Sequence, residues 1–140
     1  MKVYDGNGMI LGRLATLAAK DALLGEEVRV VNCEQVLISG KKTNTFEYQK
    51  ERYGRKGYPF KSPIFTRMPD RFVRRTIRGM LPWRQARGRE VFKHVMCYVG
   101  VPAEFASEKL IKPQKALGSK LPTLNYVTVR DVCRSLGGKS

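Results

Sequence analysis

Four arginines, Arg71, Arg74, Arg75 and Arg78, stand inside the stretch Pro69-Asp-Arg-Phe-Val-Arg-Arg-Thr-Ile-Arg-Gly-Met-Leu-Pro82. A guanidinium stays protonated and offers a planar fork of donors, so its chemistry is the gripping of phosphate or carboxylate rather than proton transfer. Wound as a helix at about 100° per residue, the four share one arc of about 100°, and Val73, Ile77 and Met80 fall on the other side. No acidic residue sits on the arginine arc to pair at i,i+4, so these charges repel one another. A polyphosphate backbone answers that comb better than solvent alone, the plain alternative being a solvated helix face. The apolar side reads as a surface that docks on a core.

Other chemistry is thinly represented. His94 is the one histidine, and the acidic residues are too scattered to nominate a carboxylate pair. His94 and Cys97 are three apart, a spacing that does not diagnose a Cys/His dyad. Cys33, Cys97 and Cys133 lie among apolar neighbours at irregular spacing, which predicts buried free thiols in a reduced compartment rather than a metal site or a bridge. Gly6-Asn-Gly8 before Leu11-Gly12 lacks the spacing of a dinucleotide loop, and Ser39-Gly-Lys-Lys-Thr43 has the order of a phosphate loop wrong. Lys41 and Lys42 still fall between a strand end and a helix start, either as a backbone-phosphate position or as a solvated pair. Arg84, Arg87 and Arg89, around Gly88, prolong the basic region. Trp83, at the junction with the arginine helix, reads first as a core anchor and second as a stacking platform. Gly79, by its backbone freedom, and Pro82, by its fixed φ, are expected to set the turn after the arginine helix. No cofactor and no metal are expected.

The charge is concentrated. The 140 residues carry a formal net charge of +15, yet residues 1–40 hold 4 basic against 5 acidic residues and residues 41–95 hold 16 against 4. A near-neutral start followed by a strongly basic middle describes one folded domain, residues 1–140, with a nucleic-acid face. Within that middle, residues 54–68 have no periodicity and interleave Arg55, Lys56, Lys61 and Arg67 with Tyr58, Phe60 and Phe65. Such a length without regular pattern marks a basic functional extension. No signal sequence opens the chain and no run approaches membrane-spanning length, so a cytoplasmic protein is expected.

The elements that must position these residues follow from periodicity and turn residues. Strands are predicted at Lys2–Asp5, Glu27–Asn32, Gln35–Ser39 and Val95–Val99, with a short extended piece at Asn125–Val129. Leu11, Leu14, Ala15, Ala18 and Ala22 recur at helical spacing, and Gly25 stops that helix. Strand, helix and strand within about thirty residues is the spacing of a βαβ unit, hence of a parallel sheet. Further helices are predicted from a Thr43 cap to Tyr53, over the arginine stretch, from Gln85 to His94, and from Arg130 to Leu136. Residues 101–140 are otherwise less regular, punctuated by Pro102, Pro113 and Pro122.

Leu11-Gly-Arg-Leu-Ala15, Val31-Asn-Cys-Glu34, Ser39-Gly-Lys-Lys42, and above all Arg78-Gly-Met-Leu-Pro82 with Gly88 and Tyr98-x-Gly100 occur in a specific order and spacing. By these the chain resembles the universal family of large-subunit ribosomal proteins numbered thirteen, in its archaeal type. The resemblance implies a non-enzymatic α/β protein, three layers of α/β/α with a four-stranded, mostly parallel sheet. It implies binding to 23S rRNA early in large-subunit assembly, beside neighbouring ribosomal proteins, with no membrane and no obligate homo-oligomer. RNA contact falls, residue by residue, on Arg13, on Lys41 and Lys42, on Arg55, Lys56, Lys61 and Arg67, and on Arg71, Arg74, Arg75, Arg78, Arg84, Arg87 and Arg89. The chain departs from the family pattern at Trp83, commonly Lys, and at Val101-Pro102, where a bacterial histidine-containing turn is missing. No contact is carried over at those two places. A stand-alone RNA- or DNA-binding regulator is the rival class, and a small phosphotransfer enzyme using the Gly6–Gly12 turn is the third.

Overall fold

The computed structural model describes residues 1–54 and 67–138. Strand β1 (Lys2–Asp5) leads through a glycine turn into helix α1 (Leu11–Leu23), and β2 (Val28–Val31) returns parallel to β1 with Lys2 opposite Val28. Helix α1 buries Leu11, Leu14, Ala15, Ala18, Ala19 and Ala22, its small side chains letting the backbone lie close to its neighbours. Strand β4 (Val95–Cys97) pairs parallel on the other side of β2, giving the order β1-β2-β4.

Strand alternation divides the sheet's two faces. Tyr4, Val28, Val30, Val95 and Cys97 point into the main core with α1 and with Val73 and Ile77 of α3 (Pro69–Gly79). Val3 and Val31 point the other way and meet Phe105, with Tyr98 and Leu110 packed against them. Helix α4 (Ala86–Lys93) runs directly into β4.

The four-stranded, three-layer arrangement is corrected in two respects. The third strand, β3 (Leu37–Ser39), leaves the main sheet and pairs antiparallel with β5 (Tyr126–Thr128). Asn32, in the left-handed region at φ 54°, and a 3-10 turn at Cys33–Gln35 turn the chain away after β2. Among the described residues the far face of the sheet is covered by part of the irregular segment after Gly100, through Phe105 of the 3-10 turn Ala103–Phe105 and Leu110, rather than by a second α-helical layer. Ile111 makes a single parallel bridge to Tyr4 at the outer edge of β1, through Asp5 N–H to Ile111 O at 3.1 Å and Ile111 N–H to Val3 O at 2.8 Å. The strand missing from the expected four is therefore β3, and this edge gains only the one bridge.

A carboxylate holds the junction. Asp5, almost wholly buried, accepts from the Asn7 N–H and the Asn32 side-chain amide at 2.9 Å each, and its other oxygen meets Lys112 Nζ at 3.0 Å. Burial alone would raise its pKa, but these donors outweigh burial and hold the carboxyl below its ordinary value.

Helix α2 (Lys42–Gly54) buries no residue fully, and helix α5 (Val129–Ser135) buries Val129, Val132 and Cys133. The expected Thr43 cap is displaced: the helix begins at Lys42, and the Lys41 carbonyl accepts from the Thr45 N–H at 3.0 Å. Thr128 caps α5, accepting from the Asp131 N–H at 3.1 Å. No helix among the described residues is long and apolar enough to cross a membrane.

Candidate nucleic-acid interface

Helix α3 divides as its periodicity predicts on the apolar side. Val73 and Ile77 are fully buried, while Met80 lies just past the helix and is 40% exposed. Pro69 opens the helix, where its missing N–H costs nothing, and Asp70 in the first turn suits the helix dipole.

The arginine side is less uniform than the comb implies. Arg71 is exposed, whereas Arg74, Arg75 and Arg78 are half-buried. Arg74 donates through Nε to the Val95 carbonyl at 2.9 Å and lies over the Phe92 ring, 4.4 Å from its centroid. It therefore ties α3 to the start of β4, a partner within the chain that helical spacing could not reveal. Arg78 lies over the Trp83 ring at 5.1 Å, and Trp83 meets Phe92 edge-on at 5.1 Å. Trp83 is 39% exposed, so it is not an enclosed core anchor.

Arg75 and Arg78 converge with Arg52, which α2 supplies, on one cavity between the helices. Burial, then Arg78 and Arg52, push the Arg75 guanidinium below the ordinary arginine range. Arg52 was absent from the sequence-derived set, because nothing in the spacing of α2 places it beside residues of α3.

The remaining cations surround these helices in several settings. Lys41 and Lys42 are exposed at the α2 start, with Lys42 Nζ over the Phe46 ring at 5.5 Å. Cations at a helix N-terminus oppose its dipole, which an arriving phosphate would relieve. Arg84, Arg87 and Arg89 are exposed, and Arg87 makes a long 3.5 Å contact to the Leu23 carbonyl. Arg13 donates to the Lys115 carbonyl at 3.3 Å, toward the C-terminal segment rather than α3. Arg67 is exposed just before α3. Arg55, Lys56 and Lys61, with the aromatic residues between them, lie outside the described residues.

The turn after α3 is corrected in its mechanism. Gly79 does not have positive φ, and a Cβ there would meet nothing within 4 Å. The constraint falls on Gly88, where an added Cβ would lie 2.1 Å from the Pro82 carbonyl oxygen. That close approach seats the first turn of α4 against Pro82 and so sets the course of the chain from Arg84 to Arg89.

The enzyme-like features are absorbed by the fold. Gly6 is buried, and a Cβ there would lie 2.7 Å from Val36 and 2.9 Å from the Asn32 and Val31 carbonyls. Asp5 is engaged as described above. His94 is exposed at the end of α4, whereas Cys97 is buried. Cys33, Cys97 and Cys133 are all buried free thiols, as the sequence predicts; Cys97 lies against Cys33 and raises its pKa, and burial raises Cys133 to about 11.

A model of the family described as Ribosomal protein L13 matches residues 1–104. A chain named Large ribosomal subunit protein uL13 from Methanococcoides burtonii is 43% identical over 139 residues, covering 99% of each chain. Its counterpart in Archaeoglobus fulgidus is 44% identical over 136 residues, 96% of this chain and 86% of that one. The counterpart in Methanocaldococcus jannaschii is 40% identical over 142 aligned residues, with 99% of each chain covered.

Proposed function

The chain belongs to the ribosomal protein L13 family, and from that premise we propose that it is a structural, non-enzymatic component of the large ribosomal subunit, binding 23S rRNA and supporting early assembly. The observation that carries this role is similarity across nearly the whole chain to proteins named as large-subunit components. The concentration of 16 basic residues between positions 41 and 95 gives it a mechanism. Lys41, Lys42, Arg71, Arg75, Arg78, Arg84, Arg87 and Arg89 neutralise phosphates, joined by Arg13 and Arg67 and by Arg55, Lys56 and Lys61. Arg74 contributes mainly by fixing α3. The major groove of A-form RNA excludes ordinary side chains, so selectivity comes from the shape of the folded RNA and from 2′-hydroxyl contacts. Neighbouring ribosomal proteins complete the setting, and the protein resides in cytoplasmic ribosomes.

Filter-binding titrations with purified large-subunit rRNA over a range of potassium concentrations test the electrostatic mechanism. If about six phosphates are neutralised, the slope of log affinity against log salt is roughly −4 to −6. A slope near zero contradicts it.

A further inference from the structure

A cavity of about 390 Å³ opens between α1, β3, α2 and α3. Leu11, Ile38 and Phe72 supply apolar wall, and Arg52, Arg75 and Arg78 bring guanidiniums from two helices. Among its described lining residues none is acidic. Thr76 also lines it, with its hydroxyl already donated to the Phe72 carbonyl at 3.2 Å. A site with cations on one side and apolar surface on the other suits a ligand that is anionic at one end and flat and apolar at the other.

Gly79 adds an independent observation. It lines the cavity, lacks positive φ, and has open space where a Cβ would stand. Glycine in a helix is less favourable than alanine by roughly 1 kcal/mol, so folding alone does not call for it here. Its missing side chain leaves that part of the lining open.

Resting on the RNA-binding role above, we propose that this cavity takes one unpaired nucleotide of the RNA partner, phosphate on Arg52, Arg75 and Arg78, base against Leu11, Ile38 and Phe72, admitted past Gly79. The volume lies within the range of small-ligand pockets, about 300–1,000 Å³. A base paired in A-form duplex keeps its faces stacked, so the occupant comes from a loop, bulge or strand end. A carboxylate side chain would match the positive charge of this side and leave the apolar wall uncovered.

Two measurements on the full chain decide it. In NMR titrations with adenosine 5′-monophosphate, the Leu11 and Ile38 methyl signals and the Phe72 ring signals shift, whereas inorganic phosphate leaves them in place. Gly79→Leu, which fills that open part of the lining, abolishes those shifts and weakens binding of large-subunit rRNA at least about fivefold, the loss typical of one base contact. Its thermal midpoint is expected at or above that of the unaltered chain. The proposal is overturned if adenosine monophosphate moves none of the three residues, or if inorganic phosphate moves them equally. It is also overturned if hexaglutamate, and not the nucleotide, moves them, since the occupant is then an acidic protein segment. Unchanged rRNA affinity in a folded Gly79→Leu variant overturns the pocket while leaving the RNA-binding role intact. Failure of the unaltered chain to bind rRNA removes both.

Discussion

At the scale of single residues, arginines on one helix do different work. Arg74 has its guanidinium on the Val95 carbonyl and the Phe92 ring, so Arg74→Ala should cost about 1–3 kcal/mol of stability in denaturant melts. Arg71 and Arg84 are exposed. Replacing both by alanine should leave the midpoint unchanged while making the rRNA salt slope shallower by roughly 2. Ile77→Ala, from the buried side of α3, should cost about 2–5 kcal/mol and alter binding only through the unfolded fraction. If the Arg71/Arg84 pair destabilises the fold and the folded fraction binds normally, those residues are structural. Asp5 supplies a pH test. Its folded pKa is lowered, so the stability it contributes is present above the unfolded value of about 4 and is lost as pH falls through the folded value. Asp5→Asn should lower stability by about 1–3 kcal/mol at neutral pH. The gap between variant and unaltered chain should narrow below about pH 4, and a gap independent of pH would refute the assignment.

At the scale of elements, the corner between α3 and α4 is set by the approach of Gly88 to Pro82. Gly88→Ala should cost about 1–3 kcal/mol by overpacking, whereas Gly79→Ala should be neutral or stabilising by up to about 1 kcal/mol. Equal effects in the two melts would contradict this division. The sequence made α1 and α3 legible because apolar residues recur over several turns, and the short spacing from β1 to β2 required a parallel pair. It did not reveal the partner of β3, because a three-residue strand looks alike in either sheet. The left-handed Asn32 that diverts the chain is of a residue type that tolerates that region, but most asparagines do not adopt it, so its identity alone did not mark the turn. The arginine arc of α3 was legible as a pattern; its division was not, because Phe92, Val95 and Trp83 approach it from later in the chain. Arg52 was missed for the same reason, arriving from α2 across the segment between the two helices.

At the scale of the whole molecule, a sheet and its packed helices carry most of the apolar core, while basic residues crowd the middle of the sequence. The Asp5 junction and the Ile111 bridge fasten the C-terminal segment to that body, and among the described residues α3 and the following corner present Arg71, Arg84, Arg87 and Arg89 exposed. Sedimentation of a cell lysate through a gradient, with detection of this chain, tests its membership in the large subunit directly. The chain is expected to migrate with free large subunits and whole ribosomes and to stay with them after a high-salt wash. Recovery only in the slowly sedimenting soluble fraction would contradict it.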